Sequence, residues 1–234
     1  MTDRLPETEN WVRMSGVSRR AALGGGAAAL GYALAAQPVS AGAITTPTDG
    51  LDAGMLTFKA SGGLTMNAYR AKPKGKANAP VVLVVQEIFG ANAHIRAVAE
   101  GYAADGYVVL APAFFDPVEP GVELDYDPAG TARGRELVAQ LGLDAALQIV
   151  AAAAAWLQAR LAGRGEPNAV GTVGYCWGGT VALLSALRLG LPSVSYYGAR
   201  NLPFLEDPQL VAKPRAPVMF HFGQDDPLIP DAAV

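Results

Sequence analysis

Val170-Gly171-Thr172-Val173-Gly174-Tyr175-Cys176-Trp177-Gly178-Gly179-Thr180 is the stretch on which the fold turns. Val170–Tyr175 reads as a strand and Thr180–Leu189 as a helix, so the chain passes from one to the other through Gly174-x-Cys176-x-Gly178. A strand that ends in G-x-C-x-G and opens a helix is a nucleophile elbow with cysteine in the usual serine position. The glycines let strand and helix pass closely where side chains would clash, and the central residue is held in a strained conformation. The turn also sets Cys176 at the N-terminus of the outgoing helix, where the helix dipole and free N–H groups are expected to favour the thiolate. The N–H of Trp177 is one expected donor to an oxyanion. A lone cysteine is more often a small buried hydrophobe, and it is the position of this one that argues otherwise.

Outward from the elbow, the chain alternates strands and helices. Met55–Ala60 and Leu64–Ala71 read as strands joined at Ser61-Gly62-Gly63. Pro80–Val85 is a continuous apolar run, as in a strand buried on both faces. A helix is expected over Asn92–Asp105, ended by Gly106, then a strand over Tyr107–Ala111. Residues 113–130, rich in Pro, Asp and Gly, read as an irregular surface loop, and Thr131–Leu161 as helix interrupted near Gly142. Ser193–Tyr197 and Val218–Phe222 are the remaining strands. This order predicts an α/β domain with a mostly parallel sheet and helices on both faces. Ligands then bind beyond the carboxyl ends of the strands.

Two other strand ends carry chemistry. Gln86-Glu87-Ile88-Phe89-Gly90 follows the most hydrophobic strand, and solubility cannot account for a carboxylate there. Glu87 either caps the next helix or pairs with a buried arginine, or it sits beside the nucleophile as a proton partner, with the N–H of Ile88 turned into the site. Phe222-Gly223-Gln224-Asp225-Asp226-Pro227-Leu228-Ile229-Pro230 ends the last strand in acidic residues. An acid that orients a catalytic histidine comes from such a strand end, and the spacing of Asp226 to Ile229-Pro230 favours it over Asp225. The alternative is a turn that uses aspartate for local hydrogen bonds.

Composition bounds the rest. Half of the 234 residues are hydrophobic and 17% charged, which suits a globular domain and argues against disorder. The net charge of -3, without a dense Lys/Arg stretch, gives no electrostatic footprint for nucleic acid. No Cys/His spacing suggests a metal site, nothing calls for a cofactor, and one cysteine excludes an intrachain disulfide. Residues 1–43 read as a twin-arginine-type signal peptide: Ser18-Arg19-Arg20, an apolar Ala21–Ala36, then Ala41-Gly42-Ala43. The apolar run is short for a membrane span, so no stable membrane insertion is expected after signal removal. The mature domain, with 14 basic and 18 acidic residues, is then expected in the periplasm. Residues 44–55 form a lead-in to a domain over 56–234.

These motifs together resemble the dienelactone hydrolase (carboxymethylenebutenolidase) family. The likeness rests on Gln86–Gly90, Gly174–Gly179 and Gly223–Pro230, with Tyr196-Tyr197-Gly198 and Ala216–Phe222 in support. It implies an α/β-hydrolase fold and a Cys-His-Asp triad in which Cys176 is the nucleophile, Asp226 the acid and Glu87 the partner of the resting thiol. Cys176 would attack a small ester or lactone to give a thioester that water hydrolyses. An arginine after the irregular loop would hold a substrate carboxylate; Arg133 or Arg135 could serve, with Arg135 preferred. The aromatic residue expected shortly after it is not found in Leu137–Leu141.

The family's histidine lies beyond the acid, after one more strand, and the expected fold lacks that C-terminal strand and helix. The two histidines present are His94, expected to pack or line the rim, and His221, expected in the core or an interface. A competing reading is a non-catalytic small-molecule-binding or redox-responsive protein; a third is a related acyl hydrolase or peptidase.

Overall fold

The computed structural model describes residues 46–59, 65–75, 79–161, 170–212, 215–226 and 228–229. The signal-peptide reading of residues 1–43 and the Ser61-Gly62-Gly63 turn lie outside these.

The apolar run forms β3 (Val81–Val85), with Val81, Leu83, Val84 and Val85 buried on both faces as its unbroken hydrophobicity requires. Around it the sheet has seven strands in the order β1-β2-β4-β3-β5-β6-β7. These are β1 (Leu51–Lys59), β2 (Thr65–Pro73), β4 (Val108–Pro112), β5 (Val170–Tyr175), β6 (Ser193–Tyr196) and β7 (Val218–His221). The first two pair antiparallel, β2 meets β4 antiparallel, and every pairing from β4 through β3, β5 and β6 to β7 is parallel. The expected mixed, mostly parallel sheet is therefore present, although β1 begins at Leu51 rather than Met55.

Helices cover both faces. One carries α1 (Ala93–Ala104), whose Ile95, Ala99 and Ala103 pack with Val84, Val109 and Val173. The other carries α2 (Pro128–Leu141), α3 (Leu143–Leu161) and α4 (Trp177–Leu184). Leu83, Leu110, Leu137, Val150 and Leu184 meet there, each contributing roughly 1.5–3 kcal/mol through burial. Gly142, at φ 72°, breaks the long helical sequence into α2 and α3, which bend by 78°. No single helix among the described residues is long and apolar enough to cross a membrane.

Other elements also depart from the sequence expectation. Helix α2 starts at Pro128 rather than Thr131, because Asp127 caps it through a 2.6 Å bond from the Gly130 amide and Pro128 occupies its first turn. Beyond Leu184 the chain continues as a π-helical turn, Ser185–Leu189, with the Ser185 hydroxyl donating back to the Val181 carbonyl at 2.7 Å. Two one-turn helices, α5 (Leu202–Leu205) and α6 (Pro208–Val211), lie between β6 and β7. Among the described residues strand β7 is the sheet's edge, with Met219 exposed. Beside α1, an open groove of about 450 Å³ over β5–β7 is lined by Tyr102, Val173, Val194 and Met219.

Candidate active site

The elbow is built as its glycines dictate. Cys176 sits between β5 and α4 at φ 55°, ψ −118°, a strained position for a residue with a side chain. Its amide donates to the Tyr196 carbonyl at 3.1 Å, and its carbonyl accepts from Gly179 at 3.0 Å, so the strain is held from both sides. A Cβ on Gly174 would lie 1.8 Å from the Gly178 carbonyl oxygen, and one on Gly178 only 2.4 Å from that of Gln86. Strand and helix touch backbone to backbone here.

The parallel strands bring the predicted residues to one end of the sheet. Glu87, at the end of β3, is buried, yet among the described residues it neither caps α1 nor pairs with an arginine. The cap of α1 is Asn92, whose side chain accepts from Ile95 at 3.2 Å. Glu87 instead accepts from two phenols: Tyr126 on Oε2, and Tyr197 on Oε1 at 3.2 Å. Its influence on Cys176 is electrostatic rather than through a hydrogen bond to the thiol.

Cys176 is half-buried, and the loss of solvation pushes its thiol up to about 11. The charge of Glu87 pushes it the same way, and Asp226 adds to this, whereas the Trp177 amide and Arg135 act in the opposite sense. The expected contribution of the helix N-terminus is present in the Trp177 amide, but desolvation and the charge of a buried carboxylate outweigh it and hold the thiol above its ordinary value.

Two amides were expected as oxyanion donors. That of Trp177 points at the thiol. That of Ile88 has no hydrogen-bond partner among the described residues. The Trp177 ring is fixed between Phe114 and Phe115, with centroids 5.8 and 6.0 Å away. Asp226 is half-buried while Asp225 is exposed. One Asp226 oxygen, Oδ1, accepts from the Leu228 amide at 2.9 Å. Of the two arginines on α2, Arg133 is bound to Glu119 and Glu136. Arg135 is exposed without an ion-pair partner among the described residues, and it is the one whose charge reaches Cys176.

The histidines are elsewhere. His221 is on the exposed edge strand rather than in the core, its ring stacked on Tyr196 at 4.5 Å and 10°. His94, half-buried in the first turn of α1, meets Tyr126 edge-on at 6.3 Å, as expected of a rim residue. No hydrogen bond joins either one to Cys176.

Sequence reading passed over Tyr126 and quoted Tyr197 only within a supporting motif, giving neither a role at the site. Tyr126 lay in a segment read as irregular loop, and its available signal was position: it immediately precedes the Asp127-Pro128 helix start. Tyr197 stands at φ 39°, and with Cys176 it is one of two non-glycine residues at positive φ among those described. Both belong to the site, and both strained positions follow the ends of adjacent strands.

Residues 66–234 match the sequence pattern of the dienelactone hydrolase family. The chain belongs to this family. A protein of Synechocystis sp. assigned as a carboxymethylenebutenolidase is 36% identical over 178 residues, covering 72% of this chain and 70% of the relative. The carboxymethylenebutenolidase of Pseudomonas putida is 30% identical over 177 residues, covering 75% and 72%. The crystal structure of a Klebsiella pneumoniae protein assigned as a dienelactone hydrolase superposes with a TM-score of 0.62 at 29% identity, covering 78% of this chain and 77% of that one. The sheet order and the elbow are accordingly those of the α/β-hydrolase superfamily.

Proposed function

We propose that this dienelactone hydrolase-family chain cleaves small carboxylic esters or lactones through a thioester on Cys176. The observation that carries the reading is the elbow itself. A strained cysteine ends a central strand with one amide on its sulfur, and the Ile88 amide, which follows the neighbouring strand β3, has no hydrogen-bond partner among the described residues. Attack on a carbonyl places negative charge on its oxygen, and preorganised donors at that point stabilise the transition state by about 2.7–4 kcal/mol each. As the S–C bond forms the ester C–O bond breaks and the sulfur's proton passes to the departing alkoxide, which leaves as the alcohol; water then cleaves the thioester to the acid and returns a proton to the sulfur.

Asp226 fits the role of orienting acid, since Leu228 holds one of its oxygens and the other remains for a base. General-base assistance adds roughly 10²- to 10⁴-fold. With neither histidine bonded to Cys176, acylation by an activated ester is expected to outrun deacylation. The redox-responsive reading is the weaker one. Oxidation would make no use of the Trp177 amide at the sulfur, and the family relationship points to acyl transfer.

Arg135 supports a substrate that carries its own carboxylate. With an aryl ester bearing a carboxylate and its neutral counterpart, both are expected to give a burst of phenol. Arg135→Ala is expected to slow the burst with the carboxylated ester by roughly tenfold more than with the neutral ester, about 1.4 kcal/mol, the neutral ester losing only the small share that comes through the Cys176 thiol. Arg133→Ala, whose guanidinium is already committed to two glutamates, should change neither. Absence of a burst with both esters would contradict the reading.

A further inference from the structure

Tyr126 is delivered to Glu87 by a loop whose backbone is fixed on both sides. Upstream, the Leu124 amide donates to the Phe89 carbonyl at 2.9 Å, Glu123 bridges Gly90, and Arg96 holds Glu123 at 2.6 Å. Downstream, Asp127 caps α2. Gly130 lies so close that a Cβ there would be 2.0 Å from the Asp125 carbonyl oxygen. The ring lies on Phe89 with centroids 4.2 Å apart, yet it remains 42% exposed. A phenylalanine would fill that position equally well; only the hydroxyl reaches the buried carboxylate.

Each Glu87 oxygen thus accepts one phenol, Tyr126 from the solvent side and Tyr197 from within, and among the described residues no hydrogen bond joins Glu87 to the thiol. We propose that Tyr126 is a positioning residue that acts through Glu87. Its hydroxyl disperses the carboxylate's charge and competes with the Cys176 thiol for it, and so sets how readily the thiol ionises. The proposal rests on Cys176 being the reacting group. The groups facing Cys176 are Glu87 after β3, Tyr197 after β6, Asp226 after β7, Arg135 on α2 and Tyr126 itself, with His94 of α1 at the outer edge of the Tyr126 ring. Only Tyr126 and Tyr197 among them bond to Glu87.

The test is the pH profile of Cys176 alkylation by iodoacetamide in the full chain, for wild type, Tyr126→Phe, Glu87→Gln and the double variant. Loss of one charge-assisted hydrogen bond leaves a more concentrated carboxylate charge beside the sulfur and frees Oε2 to accept from the thiol. Both effects favour the thiol. Tyr126→Phe is therefore expected to move the midpoint upward, lowering the thiolate fraction at about pH 8 by roughly three- to tenfold. In the Glu87→Gln background the same substitution should leave the midpoint in place. An equal shift in both backgrounds, a downward shift, or none in the Glu87 background would overturn the proposal. Alkylation requires no ester chemistry. A chain that no ester acylates would refute the hydrolase reading while this coupling stays measurable, and equal shifts would refute the coupling whatever the chain hydrolyses.

Discussion

Glu87→Gln is expected to lower the alkylation midpoint of Cys176 by about one unit, a roughly tenfold gain in thiolate at about pH 8. The thiol is raised first by desolvation and next by the charge of Glu87. The amide removes the second cause and leaves the first, so the midpoint should fall from about 11 without reaching the value of 9.0 for a free thiol. The observed rate gain is smaller than the gain in thiolate, roughly threefold, because nucleophilicity falls with basicity. The sign extends to stability. A thiol raised in the folded chain keeps its proton between pH 9.0 and about 11, where the unfolded chain releases it. Its contribution is therefore complete below pH 9.0 and is lost as the pH rises through that window, and Glu87→Gln narrows the window from above. A midpoint that stayed in place or rose in Glu87→Gln would show that the carboxylate does not govern the sulfur.

Gly178→Ala carries the second large effect. The new Cβ would stand 2.4 Å from the Gln86 carbonyl oxygen and 2.5 Å from that of Val85, at the end of the central strand. No rotamer relieves this contact, because both partners are backbone and Val85 belongs to the parallel ladders of β3. Either α4 withdraws from the sheet or β3 shifts, and the expected cost is more than about 4 kcal/mol, a large part of the 5–15 kcal/mol that holds a typical domain folded. Gly54→Ala is the matched control. Gly54 lies in β1 at negative φ with no atom within 4 Å of the added carbon, so a change within about 0.5 kcal/mol is expected. Urea unfolding of the two variants separates them, and a loss below about 1 kcal/mol for Gly178→Ala would mean that the elbow is not the tight crossing described.

The fold was legible where one physical requirement speaks alone. A continuous Val/Leu run has few places to go except a doubly covered strand, and β3 is found there. The strand–glycine–cysteine–glycine–helix order has one sterically reasonable solution, which Cys176 adopts at φ 55°. Gly142 breaks a helix where a left-handed residue must. The site was legible as a set of positions, since parallel strands bring Glu87, Cys176 and Asp226 to a common end.

What the sequence withheld depended on contacts through space. The Asp127-Pro128 start of α2 was readable from capping chemistry but was outweighed by the Pro, Asp and Gly around it. The bonds from Tyr126 and Tyr197 to Glu87 span 39 and 110 residues, and no local pattern announces them. The ionisation of Cys176 was misread for the same reason. Its favourable amide is a neighbour in sequence, whereas its burial and the Glu87 charge come from the folded sheet. His221 was expected in the core or an interface because it sits in an apolar strand; among the described residues that strand is the sheet's edge, so His221 is outside the core.

The most direct measurement of the central claim is intact-mass and peptide mass spectrometry of the chain after brief exposure to a small activated aryl ester. The account predicts one acyl group per chain, located on Cys176, released by neutral hydroxylamine as a thioester is, and absent from Cys176→Ala. An acyl group on any other residue, or aryl ester cleavage that persists in Cys176→Ala, would contradict it.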